Sequence, residues 1–349
     1  MELRGKHDWD EALLASILYE EYGFLVSTIT YIPLGTSAFS YKVTDIAGNN
    51  YFLKMFASTS DLQKSSNQLL DAYLHITWKM YDTGIFQNLT YPLKTKSGYF
   101  RLAFQDFIVI VFNFIEGKTI KESSPSREVL PKIAEVVARL HKATPELNTL
   151  GMRQERFQIW TLEQLDQCLA AIESAQALPN PSQEALAQLI LPNKEHIVHT
   201  SQVFRELCST VKAIHKELVY CHGDLWAGNI ILQENKLYLL DWEQSLLAPT
   251  ECDLTYFIGD GSDFAFFLDH YERHLGRQVL LHSELLRYYL YRRRLTHLNF
   301  LMRNILFTNT QEAKSQIDLT TLSTYYIPKL DKVDAVISKV KSALPNHIV

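Results

Sequence analysis

Along residues 28–56 the apolar positions fall in short β-branched and aromatic runs, not at helical spacing. Thr28–Leu34, Ser40–Thr44 and Tyr51–Phe56 are three such runs, parted by turn signals at Gly35-Thr36-Ser37 and Gly48-Asn49-Asn50. They predict a three-stranded meander. Ahead of it, an amphipathic stretch at Trp9–Tyr22 with Gly23 as its stop predicts a helix. Behind it, Ser58-Thr59-Ser60-Asp61 offers N-cap side chains for a helix running through about Tyr81, with Gly84 just past its end. Tyr99–Phe104 and Phe107–Phe112 predict two further strands. The result is a five-stranded sheet with one main helix inserted after the third strand.

After Glu116-Gly117 the pattern changes. Arg127–Thr144, Thr161–Ala177, Thr200–Leu218 and Ser283–Phe307 carry helical spacing, interrupted by short β-like runs at Ile230–Leu232 and Leu237–Leu240. The expected class is α+β: a β-rich N-terminal lobe over residues 1–112, a hinge at 113–118, and a mostly helical lobe over 119–349.

Composition changes this picture little. The 349 residues are 47% hydrophobic, which allows a sizeable core, and the formal net charge of -5 gives no electrostatic reason to expect nucleic acid. The longest apolar run, Phe107–Phe112, is far short of a membrane span, and the N-terminus lacks the pattern of a secretory signal. Cys168, Cys208, Cys221 and Cys252 are scattered without metal-binding spacing. The expectation is a reduced, cytoplasmic protein without a membrane partner. Arg292-Arg293-Arg294, with Arg287 and Arg303, reads as a solvated or inter-helix charge face.

The chemistry concentrates in Tyr220–Leu232. Asp224 and Asn229 lie five apart on a polar loop leading into an apolar strand, and Asp241 ends a second apolar strand twelve residues after Asn229. Alone, His222, Asp224 and Asn229 would suit a capped turn. With Asp241 added, the set matches what phosphoryl transfer requires. One carboxylate (Asp224) orients the acceptor hydroxyl and takes its proton, while Asn229 and Asp241 offer hard oxygen ligands to Mg²⁺ on the phosphates of ATP.

Lys54 lies inside an apolar strand, where an ammonium needs a reason to be. A snorkelling edge-strand lysine is the plain alternative. On the third strand after the Gly35 turn, it stands where a kinase places its phosphate-contacting lysine. Its expected carboxylate partner on the following helix is Asp71, the only acid there away from the ends. Gly35, Thr36 and Ser37 would cover the phosphates with backbone N–H groups and hydroxyls. Asn113, Phe114 and Ile115 in the hinge would meet the adenine.

The segments His222-Gly223-Asp224 … Asn229, Asp241-Trp242-Glu243 and Ala248-Pro249 … Asp253-Leu254 resemble the aminoglycoside phosphotransferase family of antibiotic and small-molecule kinases. Residues 220–261 are most similar to its spectinomycin phosphotransferase branch. The resemblance implies a two-lobed protein-kinase-like fold with ATP and Mg²⁺ between the lobes and a small-molecule acceptor. It implies that His222 and Asp253 support the catalytic loop, and makes Glu243, Asp260 and Asp263 candidates to line an acceptor pocket. An aminocyclitol or aminoglycoside such as spectinomycin is the favoured acceptor; choline, homoserine and sugars are the metabolic alternatives. Asp71 departs from the family, which usually shows Glu there. A protein kinase is disfavoured, because Gly223 replaces the arginine of the catalytic loop and Asp241-Trp242-Glu243 replaces D-F-G. A nucleotide-binding module without catalysis is the remaining rival.

Overall fold

The computed structural model describes residues 9–33, 38–57, 62–123, 127–149, 151–158, 160–174, 180–259 and 261–349. The chain divides into two compact units, residues 1–154 with 219–247, and residues 155–218 with 248–349. Residues 113–118 lie inside the first unit. The Gly35-Thr36-Ser37 turn and the cap candidates Ser58–Asp61 lie outside the described residues.

In the first unit, α1 (Glu11–Tyr22) starts where the Asp10 carboxylate accepts the Leu13 N–H at 3.0 Å and ends at Gly23, whose φ of 83° only glycine adopts cheaply. Strands β1 (Val26–Ile32), β2 (Phe39–Asp45) and β3 (Asn50–Ala57) form the meander, followed by α2 (Leu62–Asp82), β4 (Leu102–Phe104) and β5 (Phe107–Asn113). The sheet is antiparallel in the order β1-β2-β3-β5-β4. Its class is the expected α+β, and each predicted element is present within a few residues. Strand β4 is shorter than the apolar run predicts, because Tyr99 belongs to a turn, its N–H bonded to Thr95 Oγ1 at 3.1 Å.

The two faces of the sheet follow from the alternation of side chains along a strand. Tyr41, Val43, Leu53, Met55, Val109 and Val111 point to one face and pack with Leu14 and Leu18 of α1. Lys54, one residue out of phase, points to the other. Strand β3 sits between β2 and β5, so Lys54 is on a central strand and only 8% exposed. The snorkelling-edge alternative is thereby removed.

The rest of the first unit carries the polar loops. Strand β6 (Lys118–Thr119), α3 (Ile120–Ser123) and α4 (Leu130–Lys142) precede β7 (Val219–Cys221), β8 (Ile230–Gln233) and β9 (Lys236–Leu239), with sheet order β6-β8-β9. Residues 88–90 tie β9 to the chain that follows α2: Leu239 donates to the Asn88 carbonyl at 2.9 Å and accepts from Thr90 N–H at 3.0 Å. Gly117 has φ 137°, and a Cβ there would come 2.7 Å from the Leu232 carbonyl oxygen, so the turn into β6 needs glycine.

The second unit is helical: α5 (Trp160–Ser174), α6 (Pro181–Ile190), α7 (Lys194–Ala213), α8 (Glu251–Leu254), α9 (Phe264–Leu275), α10 (Ser283–Arg303), α11 (Glu312–Thr321) and α12 (Val333–Ala343). Helix α10 is its core, with Leu285, Leu286, Leu295, Leu298 and Met302 fully buried. The arginines of α10 serve contacts within this unit. Arg292 pairs with buried Glu155, Arg287 bonds Asp334 at 2.7 Å, and Arg293 lies over the Tyr256 ring at 4.6 Å.

Candidate active site

Strand β7 delivers the chain into a buried turn at His222. The imidazole is fully enclosed and lies 4.6 Å from the Trp242 ring. Its Nε2 is 2.8 Å from the Leu240 carbonyl oxygen, and its Nδ1 is 3.3 Å from Asp224 N. A carbonyl only accepts and a backbone N–H only donates, so the ring carries its proton on Nε2. His222 thereby ties the Asp224 loop to the strand end that carries Asp241. Gly223 makes this turn at φ 81°, and a Cβ there would lie 2.3 Å from the Gln244 carbonyl oxygen.

Asn229 is buried, and its Nδ2 donates both to the Asp224 carbonyl oxygen at 3.0 Å and to Asp224 Oδ2 at 3.1 Å. Those bonds orient the Asp224 carboxylate and use the nitrogen side of the amide, leaving Oδ1 as the atom suited to a cation. Backbone bonds from Asn229 N to the Trp226 carbonyl and from Leu240 N to the Asn229 carbonyl, both 2.9 Å, fix Asn229 beside the residue preceding Asp241.

Asp241 adopts the left-handed region, φ 63° and ψ 67°, which is uncommon for a residue with a side chain. Its Oδ1 lies 2.8 Å from Lys54 Nζ, and Glu243 Oε1 lies 2.6 Å from the same nitrogen. The Asp241 side chain is 39% exposed, that of Glu243 17%. Burial alone would lower the Lys54 ammonium, but the two carboxylates outweigh it and hold it above its ordinary value. Burial pushes the Asp241 carboxyl up, and the Lys54 ammonium overrides that and holds it below the usual range. Burial, then the nearby Glu243 carboxylate, pushes the Tyr73 phenol of α2 well up, so it is a neutral hydroxyl. An oxygen donor set of Asn229 Oδ1 and an ionised Asp241 fits a hard divalent cation such as Mg²⁺.

The structure corrects one predicted pairing. Lys54 bonds Asp241 and Glu243, whereas Asp71 bonds Arg101 Nη2 at 2.9 Å. Helix phase is the reason. Tyr73, Leu74, Ile76, Thr77 and Met80 form the buried face of α2, and Asp71 lies about 200° around the helix from Tyr73. Glu243, expected to line an acceptor pocket, is spent on Lys54. Of the hinge residues, Asn113 uses its side chain to accept the Tyr91 N–H at 2.7 Å, and the Phe114 ring carries Lys42 Nζ 4.6 Å from its centroid. Ile115 is half-buried. Asp253 is fully buried on α8 of the second unit, Asp263 is exposed at the start of α9, and Asp260 lies outside the described residues. Trp226, between Asp224 and Asn229 in the chain, is 37% exposed with Lys121 Nζ 5.2 Å from its ring centroid.

Known proteins share sequence and fold with this chain. The 4-hydroxytryptamine kinase of Psilocybe cubensis is 32% identical over 114 residues, which is 30% of this chain and only 28% of that protein. The crystal structure of a spectinomycin phosphotransferase in complex with ADP and spectinomycin superposes with a TM-score of 0.72 at 18% identity, covering 95% of this chain and 99% of the other. An amicoumacin kinase in complex with AMP-PNP, Ca²⁺ and Ami gives 0.64 at 13% identity, with 94% of each chain covered. At such identities the likeness shows the fold, which is that of these phosphotransferases. The model of the phosphotransferase enzyme family (APH) matches residues 28–288, from β1 into α10 and through the whole Asp224–Asp241 segment. The chain belongs to that family.

Proposed function

We propose that this protein is an ATP-dependent kinase that transfers a phosphoryl group to a hydroxyl of a small molecule, with a divalent metal ion as cofactor. The observation that carries the proposal is the meeting, in one compact unit, of Lys54, Asp241 and the Asn229–Asp224 pair, with contacts of 2.8–3.1 Å. Asp224 is the base. Its carboxylate, oriented by Asn229 Nδ2, accepts the proton of the acceptor hydroxyl as that oxygen bonds to the terminal phosphorus and the bond from that phosphorus to the bridging oxygen breaks, with ADP as the leaving group. Lys54 contributes a permanent positive charge to the phosphates. Asn229 and Asp241 would hold Mg²⁺, which when bound neutralises phosphate charge. The Gly35–Ser37 turn and residues 113–115 are the parts of the chain proposed to meet the phosphates and adenine.

For the acceptor, we propose a hydroxyl-bearing amine. That chemistry is common to spectinomycin, bound in one structural relative, and to the 4-hydroxytryptamine named for the curated relative. The test is ADP release with Mg²⁺-ATP across spectinomycin, aminoglycosides, 4-hydroxytryptamine, choline, homoserine and methylthioribose. Turnover with an amine acceptor that disappears in Asp224→Ala is the expected outcome. Turnover confined to an acceptor without an amine would overturn the acceptor class. ATP binding without turnover of any acceptor would favour the non-catalytic alternative.

A further inference from the structure

In protein kinases the lysine of the third strand is held by a glutamate on the helix that follows. Helix α2 has none: its only acids are Asp71 and Asp82. Asp82 is the last residue of the helix, and Asp71 is turned away and bonded to Arg101. From α2 the buried Tyr73 lies near enough to Glu243 and Lys54 for their charges to act on its phenol, and among the described residues its hydroxyl has no hydrogen-bond partner. Tyr73 and Glu243 line the same small pocket, together with Arg153 and Ser245.

We infer that Glu243 is the residue that positions Lys54 for the nucleotide phosphates, replacing the helix carboxylate. The inference rests on the kinase reading of the site. Among the described residues two carboxylates reach Lys54 Nζ, and they differ in setting. Asp241 is the more exposed and is the one assigned to the metal ion. Glu243 is the more enclosed and the closer, at 2.6 Å. A buried ammonium needs a partner that stays with it, and Glu243 meets that need when Asp241 is engaged elsewhere. The arrangement has a consequence for control. Where the anchor is on a helix, moving the helix breaks the ion pair. Here the anchor is two residues from Asp241 on one short turn, so the lysine and the metal carboxylate are assembled together, whatever α2 does.

The test is direct binding of ATP by calorimetry, with no acceptor, in Mg²⁺ and again in EDTA. It compares the full chain with Glu243→Gln, a change that preserves shape and removes charge. The expected result is affinity weaker by about tenfold or more, by a similar factor in both conditions. The double variant Tyr73→Glu/Glu243→Gln, which moves the carboxylate onto the helix, is expected to recover most of the loss. Unchanged affinity in Glu243→Gln would overturn the inference. So would a loss seen only with Mg²⁺, which would make Glu243 a metal ligand. If the double variant melts far below the parent, the comparison of Mg²⁺ with EDTA decides alone. Failure of the unsubstituted chain to bind ATP in either condition would instead overturn the kinase reading itself, and this inference with it.

Discussion

Gly223 has no room for a methyl group. The Gln244 carbonyl oxygen and the Leu246 side chain stand 2.3 and 2.9 Å from where a Cβ would be, and the backbone is in the left-handed region. Gly223→Ala should therefore part the Asp224 loop from the turn after Asp241. The expected cost exceeds about 2 kcal/mol, read as a lowered melting temperature together with lost turnover. At neighbouring positions binding and chemistry separate. Asp224→Ala should lower kcat by at least about a hundredfold while ATP affinity stays within a few-fold, because the base role proposed for Asp224 is on the acceptor. Asp241→Ala should lose the Mg²⁺-dependent part of ATP affinity as well, because Asp241 is assigned to the metal; calorimetry with and without Mg²⁺ distinguishes the two. Spacing in the sequence singles these residues out as candidates. It does not single out the partner of Lys54, since Lys54 and Glu243 lie 189 positions apart and no local pattern links them.

Elements explain both what the hydrophobic pattern recovered and what it passed over. The meander and β5 were readable because alternation and turn residues are local properties of ten or so positions. Helix α2 was readable as a helix, but its phase was not. Which of Asp71 and Tyr73 faces the sheet depends on how the helix packs, and Leu74 and Met80, both fully buried, settle it. Leu74→Ala should cost about 2–5 kcal/mol while ATP affinity stays within a few-fold, because the carboxylates that hold Lys54 come from the Asp241 turn and not from α2. A denaturant melt and an ATP titration on the same variant check both parts. Helix α6 was missed although its start is signalled. Asn180 caps it by accepting the Gln183 N–H at 3.0 Å, and Pro181 occupies its first turn. Helix α12 carries Val333, Ile337 and Val340 at helical spacing, and these are its buried residues.

At the scale of the molecule, the second unit contains a pH-sensitive group unconnected with the proposed chemistry. Glu251 is buried on α8, its Oε1 accepting the His282 N–H at 2.8 Å, and burial pushes its carboxyl up to about 7. The sign follows from proton counting. Folded Glu251 holds its proton at pH values where the unfolded residue, near 4.5, has lost it. Stability should therefore be greatest below about pH 4.5 with respect to this group, and fall as pH rises to about 7, by roughly 1–3 kcal/mol. Glu251→Gln keeps the acceptor for the His282 N–H and removes the titration. It should flatten the fall in melting temperature between pH 5 and 8 and raise stability at pH 8. A variant with an unchanged pH profile would mean that Glu251 stays ionised in the fold. The grouping of residues 219–247 with 1–154, across the intervening 155–218, is likewise a property of the whole molecule that no stretch of sequence announces.

By itself the sequence determined the class, the order of the main elements and the residue types available for phosphoryl transfer. Strand alternation, helix periodicity and motif spacing are written in neighbouring positions, where backbone geometry leaves few choices. Tertiary structure alone decided who meets whom: that Lys54 lies on a central strand, that Asp71 turns to Arg101, and that Glu243 closes on the lysine. Those outcomes depend on helix phase and on contacts between distant segments. They are set when the core packs, because burying Leu74 and Met80 fixes which side of α2 remains for polar groups.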